Sequence, residues 1–203
     1  MQKPGSRILR EEAKRKAIHV CGTAIPVLYL FLQKDLIIRG FVIGLFAVLI
    51  IEWSRLRGLI SLPFLRHGEE KKKEIGAYVF FVIGAFISVI VFEKSIAIAA
   101  ILMLAIGDTV SALAGAVIIA DKPGMYRKSL KPPEVMLSMF TTSLLIGWLV
   151  LHSLPMSLFG ALGATIADSV PLKVHGVPID DNLTIPLFSG VLMSFVSMLL
   201  VVY

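Results

Sequence analysis

The chain has 203 residues, of which 57% are hydrophobic and only 17% are charged, and its formal net charge is +6. Soluble domains are usually about half apolar and about a quarter charged, so this composition excludes a disordered chain, a fibrous protein and an ordinary soluble enzyme. The single cysteine, Cys21, excludes an internal disulfide framework and a multi-cysteine zinc site. The length suits one integral membrane domain over residues 1–203.

Seven apolar runs predict an all-α fold, a polytopic membrane helix bundle with about seven transmembrane helices. The runs cover residues 17–32, 36–51, 75–92, 95–120, 135–151, 156–170 and 185–202. A spanning helix needs about 20 apolar residues, so the first, second and sixth runs are short. Six spans are the alternative if the first run is re-entrant or lies on the membrane surface. That run lacks a signal-peptide cleavage site, which favours a retained helix.

The basic residues are distributed asymmetrically between the predicted loops. The segment 1–16 and the loops after the second, fourth and sixth runs hold 17 lysines and arginines, whereas the other side holds 3. The positive-inside rule therefore places the N-terminus in the cytosol. This basic cytosolic segment could also form a short helix at the membrane surface. The net charge indicates contact with anionic membrane lipids rather than nucleic acid, because no aromatic reading surface accompanies it.

Three acidic side chains interrupt or end the apolar runs: Glu52, Asp108 and Asp168. A carboxylate within a spanning helix costs at least about 2.5 kcal/mol and is a functional hypothesis by default. Asp108 shares a helix face with the small residues Ser111, Ala112 and Gly115. The alternative is therefore close helix packing, with the carboxylate hydrogen-bonded to a neighbouring helix. Asp168 could instead cap the end of its helix. Glu52 and Arg55 could bind a phosphate or metal, or form an ion pair three residues apart on one helix.

Two predicted cytosolic loops add polar groups. The run Arg127-Lys128-Ser129 places two cations beside a hydroxyl, a combination suited to a polyphosphate. The run Asp180-Asp181-Asn182 offers oxygen ligands for a hard cation such as Mg²⁺, or an N-cap for the seventh helix. A zinc-hydrolase spacing, a Walker loop and a Gly-x-Ser-x-Gly nucleophile motif are missing from the sequence.

Taken in order, these stretches resemble the membrane-embedded CTP-dependent lipid alcohol kinases, the family of dolichol kinase, phytol kinase and CTP-dependent diacylglycerol kinase. The matching stretches are Arg15-Lys16-Ala17-Ile18-His19, Glu52-x-x-Arg55, Ile106-Gly107-Asp108 through Gly115, Lys128-Ser129-Leu130, and Asp180-Asp181-Asn182-Leu183-Thr184-Ile185-Pro186-Leu187. Two positions depart from the family pattern. Lys131-Pro132-Pro133-Glu134 stands where the family has Glu-Gly-Ser, and Asp168 stands where a glutamate is common.

The resemblance implies transfer of the γ-phosphoryl group of CTP to the hydroxyl of a polyprenol- or dolichol-type lipid. It implies Mg²⁺, or another divalent cation, held by Asp108 and Asp181, with Asp180 and Glu52 as further candidate ligands. Asp108 and Asp168 are the candidate catalytic residues, and Asp168 would orient or deprotonate the lipid hydroxyl. The candidate nucleotide contacts are Lys128, Ser129, Arg127, Asn182, Gly107 and Arg55. The site would face the cytosol, in a prokaryotic cell membrane or an endoplasmic-reticulum-like membrane.

Two other functions remain open at this point. A CTP:phosphatidate cytidylyltransferase-like enzyme would use the same nucleotide, but the usual Pro-Gly-His-Gly-Gly run before an Asp-Arg pair is missing. A small transporter or lipid-binding scaffold would spread polar residues through the midplane and show repeats, and no persuasive repeat is visible.

Overall fold

A computed structural model describes residues 4–63, 65, 74–121, 130–174 and 176–202. The side chains of residues 4–8, 11, 119–121 and 201–202 lie outside the description. The predicted phosphate-binding run Arg127-Lys128-Ser129 also lies outside the described residues.

The described chain is helical, in agreement with the predicted fold class. The helices are α1 (Pro4–Cys21), α2 (Ala24–Phe31), α3 (Lys34–Leu56), α4 (Ala77–Val91), α5 (Lys94–Leu102), α6 (Asp108–Asp121), α7 (Pro133–Leu151), α8 (Leu154–Ser169) and α9 (Asp181–Val202). A π-helical turn, Met103–Gly107, joins α5 to α6. A short antiparallel hairpin of β1 (Lys173–Val174) and β2 (Val177–Pro178) precedes α9.

The prediction of one continuous helix over residues 17–32 was wrong, because the chain breaks between α1 and α2. A Cβ atom at Gly22 would lie 2.3 Å from the Phe81 ring, so only glycine permits this close approach. The Thr23 hydroxyl donates to the Val20 carbonyl at 2.7 Å, which turns the chain locally. With 8 residues, α2 is too short to span a bilayer.

Four described helices are long and apolar enough to cross a membrane. They are Lys34–Leu56, Pro133–Leu151, Asp181–Leu200 and the stretch Lys94–Ile118, in which α5, the π-helical turn and most of α6 follow one another without a break; Ala77–Val91 is a shorter apolar helix. The long helix Lys94–Ile118 is central, since 72% of its most apolar stretch is buried. Small residues such as Ala97, Ala99 and Ala100 are completely buried along it, which allows neighbouring helices to pack on several sides.

The π-helical turn lies directly before Asp108. Such turns are frequent at functional sites, because the extra residue changes where the following side chains point. A Cβ atom at Gly107 would lie 3.0 Å from Ser143 Oγ and 3.1 Å from Met139 Sδ. Gly107 therefore permits close packing of α7, which supports the packing alternative for this residue over a nucleotide contact.

Gly84 sets the distance between α4 and the beginning of α9. A Cβ atom there would lie 2.6 Å from the Asn182 carbonyl oxygen and 3.3 Å from Leu183 Cα. Because backbone cannot move aside as a side-chain tip can, Gly84→Ala should lower the free energy of unfolding by about 1–3 kcal/mol. Gly40→Ala is the matched control, since nothing lies within 4 Å of a Cβ atom at Gly40. Thermal unfolding in detergent checks this, and equal midpoints for the two variants would contradict it.

Candidate metal and phosphate site

Three carboxylates from different helices meet in one cluster, which we call the aspartate cluster. Asp108, Asp168 and Asp181 each offer an oxygen atom, and these three atoms all lie within 4.8 Å of one another. Asp108 and Asp168 are buried, whereas Asp181 is partly exposed. The structure thus brings together Asp108 and Asp181, two of the four candidate cation ligands, and both candidate catalytic residues, Asp108 and Asp168.

The ends of three helices position the aspartate cluster. Asp108 begins α6 directly after the π-helical turn, Asp168 lies in the last turn of α8, and Asp181 is the first residue of α9. The hairpin between α8 and α9 reverses the chain, with Gly176 at a positive φ of 82°. Glycine adopts this left-handed conformation without steric cost. The reversal brings the end of α8 and the beginning of α9 side by side.

Helix α1 contributes two further side chains to the cluster. The Lys16 ammonium donates to Asp108 Oδ2, and both side chains are almost completely buried. His19 Nδ1 lies 3.4 Å from the same oxygen. The contact is close enough for an ion pair, but Nδ1 makes no hydrogen bond of acceptable geometry with any described residue. The His19 ring packs edge-on against Phe81, with their centroids 5.2 Å apart.

Lys131 balances the charge on the other side of the cluster. Its Nζ lies 2.5 Å from Asp168 Oδ1, and the Ser111 hydroxyl donates to Asp168 Oδ2 at 2.8 Å. Burial alone would lower the pKa of Lys131, but the charges of Asp168, Asp108 and Asp181 outweigh it and raise the pKa above its ordinary value. Lys131 therefore stays protonated at neutral pH. Its stabilising contribution is lost only in alkaline solution, as the pH rises through this elevated pKa.

The residues of the run Asp180-Asp181-Asn182 have different roles: Asp180 caps α9, and Asp181 belongs to the aspartate cluster. Asp180 Oδ1 accepts hydrogen bonds from the Asn182 backbone N–H at 3.0 Å and from Asn182 Nδ2 at 2.6 Å. This is the predicted N-cap, so Asp180 is engaged at the helix start. Asp181 Oδ1 and Asn182 Oδ1 are buried and have no hydrogen-bond partner in the described part of the chain. These two oxygens are free to bind a ligand.

Glu52 and Arg55 form a separate network. Glu52 accepts two hydrogen bonds from Arg55, at 2.6 and 2.7 Å, one from the Gly76 backbone N–H at 2.7 Å and one from the Tyr78 hydroxyl at 2.7 Å. Arg55 also donates to the Glu74 carbonyl at 2.6 Å. These contacts fasten the end of α3 to the beginning of α4. They support the ion-pair alternative for Glu52 and Arg55 rather than a metal ligand and a phosphate ligand.

A structural role for this network predicts an effect of Glu52→Gln on stability alone. The amide cannot accept all four hydrogen bonds, so the variant should lose about 1–3 kcal/mol of unfolding free energy while its cation affinity stays unchanged. Unfolding and cation titration in detergent measure the two quantities. Glu93→Gln, an exposed carboxylate, is the control. A drop in cation affinity without a drop in stability would return Glu52 to the list of metal ligands.

Lys16, His19 and Lys131 were not among the predicted site residues. The sequence does indicate that two of them lie together, because Lys16 and His19 are three residues apart and therefore share one helix face. Nothing in the sequence indicates that this face of α1 packs on α6. Lys131 was recognised only as a departure from the family pattern.

The aspartate cluster carries three negative charges against two ammonium groups. Counted without His19, these formal charges sum to −1, and the addition of a divalent cation changes the sum to +1. Comparison of the chain with protein-family models, with curated proteins and with solved structures gave no significant match.

Proposed function

We propose that the chain is a membrane lipid alcohol kinase that transfers the γ-phosphoryl group of CTP to the hydroxyl of a polyprenol- or dolichol-type lipid. The observation that carries the proposal is the convergence of Asp108, Asp168 and Asp181, from three helices, beside two buried or half-buried lysines. Phosphoryl transfer depends mainly on positioning and on neutralisation of charge. A mixed set of carboxylates and ammonium groups suits a metal–phosphate complex.

The residues of the aspartate cluster fit a divalent cation such as Mg²⁺. Carboxylate and amide oxygens are suitable ligands, and Asp181 Oδ1 and Asn182 Oδ1 are buried without hydrogen-bond partners in the described chain. Asp108 and Asp181 would hold the cation, with Asn182 in support. When bound, the cation supplies charge neutralisation for the phosphate oxygens. Because the cluster changes from net negative to net positive, the charges favour binding of the nucleotide after or together with the cation.

The lysines of the cluster would bind phosphate. Lys16 and Lys131 now donate to Asp108 and Asp168, and their flexible stems allow each ammonium to turn towards an incoming anion. The run Arg127-Lys128-Ser129 precedes Lys131 closely in the chain and would complete the clamp on the triphosphate. The basic side chains would thus bind the phosphates, and the carboxylates would bind the cation and the lipid hydroxyl.

Asp168 would receive the lipid alcohol. Ser111 Oγ already donates to Asp168 Oδ2, which shows that this oxygen accepts a hydrogen bond from an alcohol. The lipid hydroxyl would replace Ser111 there, and its oxygen would form a bond to the γ-phosphorus. The bond from that phosphorus to the β,γ-bridging oxygen breaks, CDP leaves with the electron pair, and the hydroxyl proton passes to Asp168. Atoms and charges balance without a further reactant.

The distribution of basic residues and the long apolar helices support a proposal for the membrane arrangement. The basic residues favour a cytosolic N-terminus and a cytosolic site, in a cell membrane or an endoplasmic-reticulum-like membrane. We propose that the chain crosses the bilayer through the long apolar helices and that α1 lies along the cytosolic surface. The isoprenoid tail would remain in the bilayer against the exposed apolar faces of the bundle.

Product analysis with position-labelled nucleotide tests this function. Purified protein receives CTP labelled at the α- or γ-phosphorus, a divalent cation and a panel of lipid alcohols and phosphatidate. We expect the γ-label in the lipid product and CDP in solution. Incorporation of the α-label with release of pyrophosphate would replace the kinase with a cytidylyltransferase. Absence of turnover, together with solute uptake by proteoliposomes without CTP, would favour a transporter, and an ATP arm establishes the nucleotide preference.

A further inference from the structure

His19 is a buried imidazole whose role is not explained by packing. Only 8% of its side chain is exposed, yet Nδ1 has no hydrogen-bond partner in the described chain. A buried polar atom without a partner costs about 1–3 kcal/mol, so such an atom needs an explanation, and a bound ion is one. Nδ1 lies beside Asp108 Oδ2, at the edge of the aspartate cluster.

The distance between the two atoms suits a shared metal ion. Transition metals bind imidazole nitrogen and carboxylate oxygen at about 2.0–2.2 Å, so two neighbouring ligands lie about 3.0–3.4 Å apart, with the shorter value for the octahedral geometry that Mn²⁺ favours. His19 Nδ1 and Asp108 Oδ2 are 3.4 Å apart. Asp181, which offers an oxygen within 4.8 Å of one of Asp108, also has a buried oxygen, Oδ1, that lacks a partner within the described residues.

We propose that His19 Nδ1 is a direct ligand of the cation in the aspartate cluster, and that the site therefore prefers Mn²⁺ to Mg²⁺. This inference rests on the cation site of the proposed function. Mg²⁺ favours oxygen ligands, whereas imidazole raises the affinity for transition metals. A set of carboxylates with one imidazole accepts Mn²⁺ readily and gives Mg²⁺ no benefit from the nitrogen.

Lys16 occupies the position from which the cation would approach Asp108. Its ammonium contacts the same oxygen that faces His19, so it neutralises Asp108 when no cation is bound. The four-carbon stem of lysine allows the ammonium to withdraw without movement of α1. Nδ1 of His19 and Oδ2 of Asp108 are then both open to the ion.

Electron paramagnetic resonance on the full chain tests the ligand directly. Mn²⁺ is added to the protein in detergent without nucleotide, and three-pulse electron spin echo envelope modulation is recorded. We expect modulation from a directly bound ¹⁴N nucleus in the wild-type protein and its loss in His19→Gln. Bound Mn²⁺ without nitrogen modulation would overturn the proposal, and so would modulation that persists in His19→Gln. The wild-type spectrum decides even if the variant does not fold.

Competition between the two cations tests the preference. His19→Gln should weaken Mn²⁺ binding at least about 10-fold while Mg²⁺ displaces Mn²⁺ correspondingly more easily. His152→Asn is the control, because His152 is exposed in the turn between α7 and α8. An unchanged Mn²⁺-to-Mg²⁺ ratio would overturn the preference. Nitrogen-bound Mn²⁺ without lipid phosphorylation would refute the kinase alone, whereas phosphorylation with an all-oxygen cation site would refute the role of His19 alone.

Discussion

Replacement of Asp181 by asparagine should lower lipid phosphorylation about 100- to 1,000-fold at fixed cation concentration while leaving the protein folded. Asp181 Oδ1 has no hydrogen-bond partner in the described structure, so the variant breaks no observed bond of that atom. The change removes one negative charge from a cluster of three and therefore weakens cation binding. Loss of one charged group that stabilises a transition state typically costs about this factor. Initial rates across a cation titration measure the effect.

Asp35→Asn is the matched control, because Asp35 is an exposed carboxylate at the opposite end of α3 from Glu52. Its activity and its unfolding midpoint should equal those of the wild-type protein. If Asp181→Asn retained full activity with an unchanged cation dependence, Asp181 would not be a metal ligand. Loss of activity accompanied by unfolding would indicate a structural role instead.

Replacement of Lys16 by methionine should make the stability of the protein depend on a divalent cation. Lys16 and Asp108 form a buried ion pair, and removal of one partner from such a pair costs about 3–5 kcal/mol. In EDTA the variant should therefore unfold at a markedly lower temperature. A bound cation takes over the neutralisation of Asp108 and restores stability by mass action. Unfolding midpoints with EDTA and with a series of Mn²⁺ or Mg²⁺ concentrations measure this.

A bound cation should restore the stability of Lys16→Met but not its rate of lipid phosphorylation. Even at saturating cation we expect Lys16→Met to be about 100-fold slower, because one ammonium no longer neutralises the phosphate. Lys14→Met is the control on the same helix, since Lys14 is exposed. A purely structural ion network predicts lower stability for Lys16→Met at every cation concentration, and that result would count against a metal site.

The fold class was predictable because apolar runs separated by charges leave few options other than helices in a membrane. The break in the first run was not predicted. Gly22, which lies in the break, packs against the Phe81 ring, and the apolar pattern does not reveal a contact between residues so far apart in the sequence. The length of α3 was underestimated for a related reason. Its last turn is held by the contacts of Glu52 with Gly76 and Tyr78 and of Arg55 with Glu74, whereas the apolar pattern ends earlier.

Part of the candidate site was predictable, because a carboxylate within an apolar helix is energetically costly and therefore indicates a functional or structural partner. This argument selected Asp108 and Asp168, and the oxygen-rich run selected Asp181. The same argument also selected Glu52, whose contacts are those of a structural carboxylate, because burial in a helix does not reveal which partners a charge has. Lys16 and Lys131 were missed because a lysine at the end of a helix usually extends to the membrane surface. Here both turn inward, because three carboxylates attract them.

The position of a bound cation is the most direct test of the proposed metal site. Crystals grown with Mn²⁺ and a non-hydrolysable CTP analogue would give an anomalous difference map at the manganese absorption edge. We expect a peak at metal-ligand distance, about 2.0–2.6 Å, from carboxylate oxygens of Asp108 and Asp181, with the phosphates of the analogue next to it. A well-occupied nucleotide whose manganese lies elsewhere, with Lys16 still bound to Asp108, would contradict it.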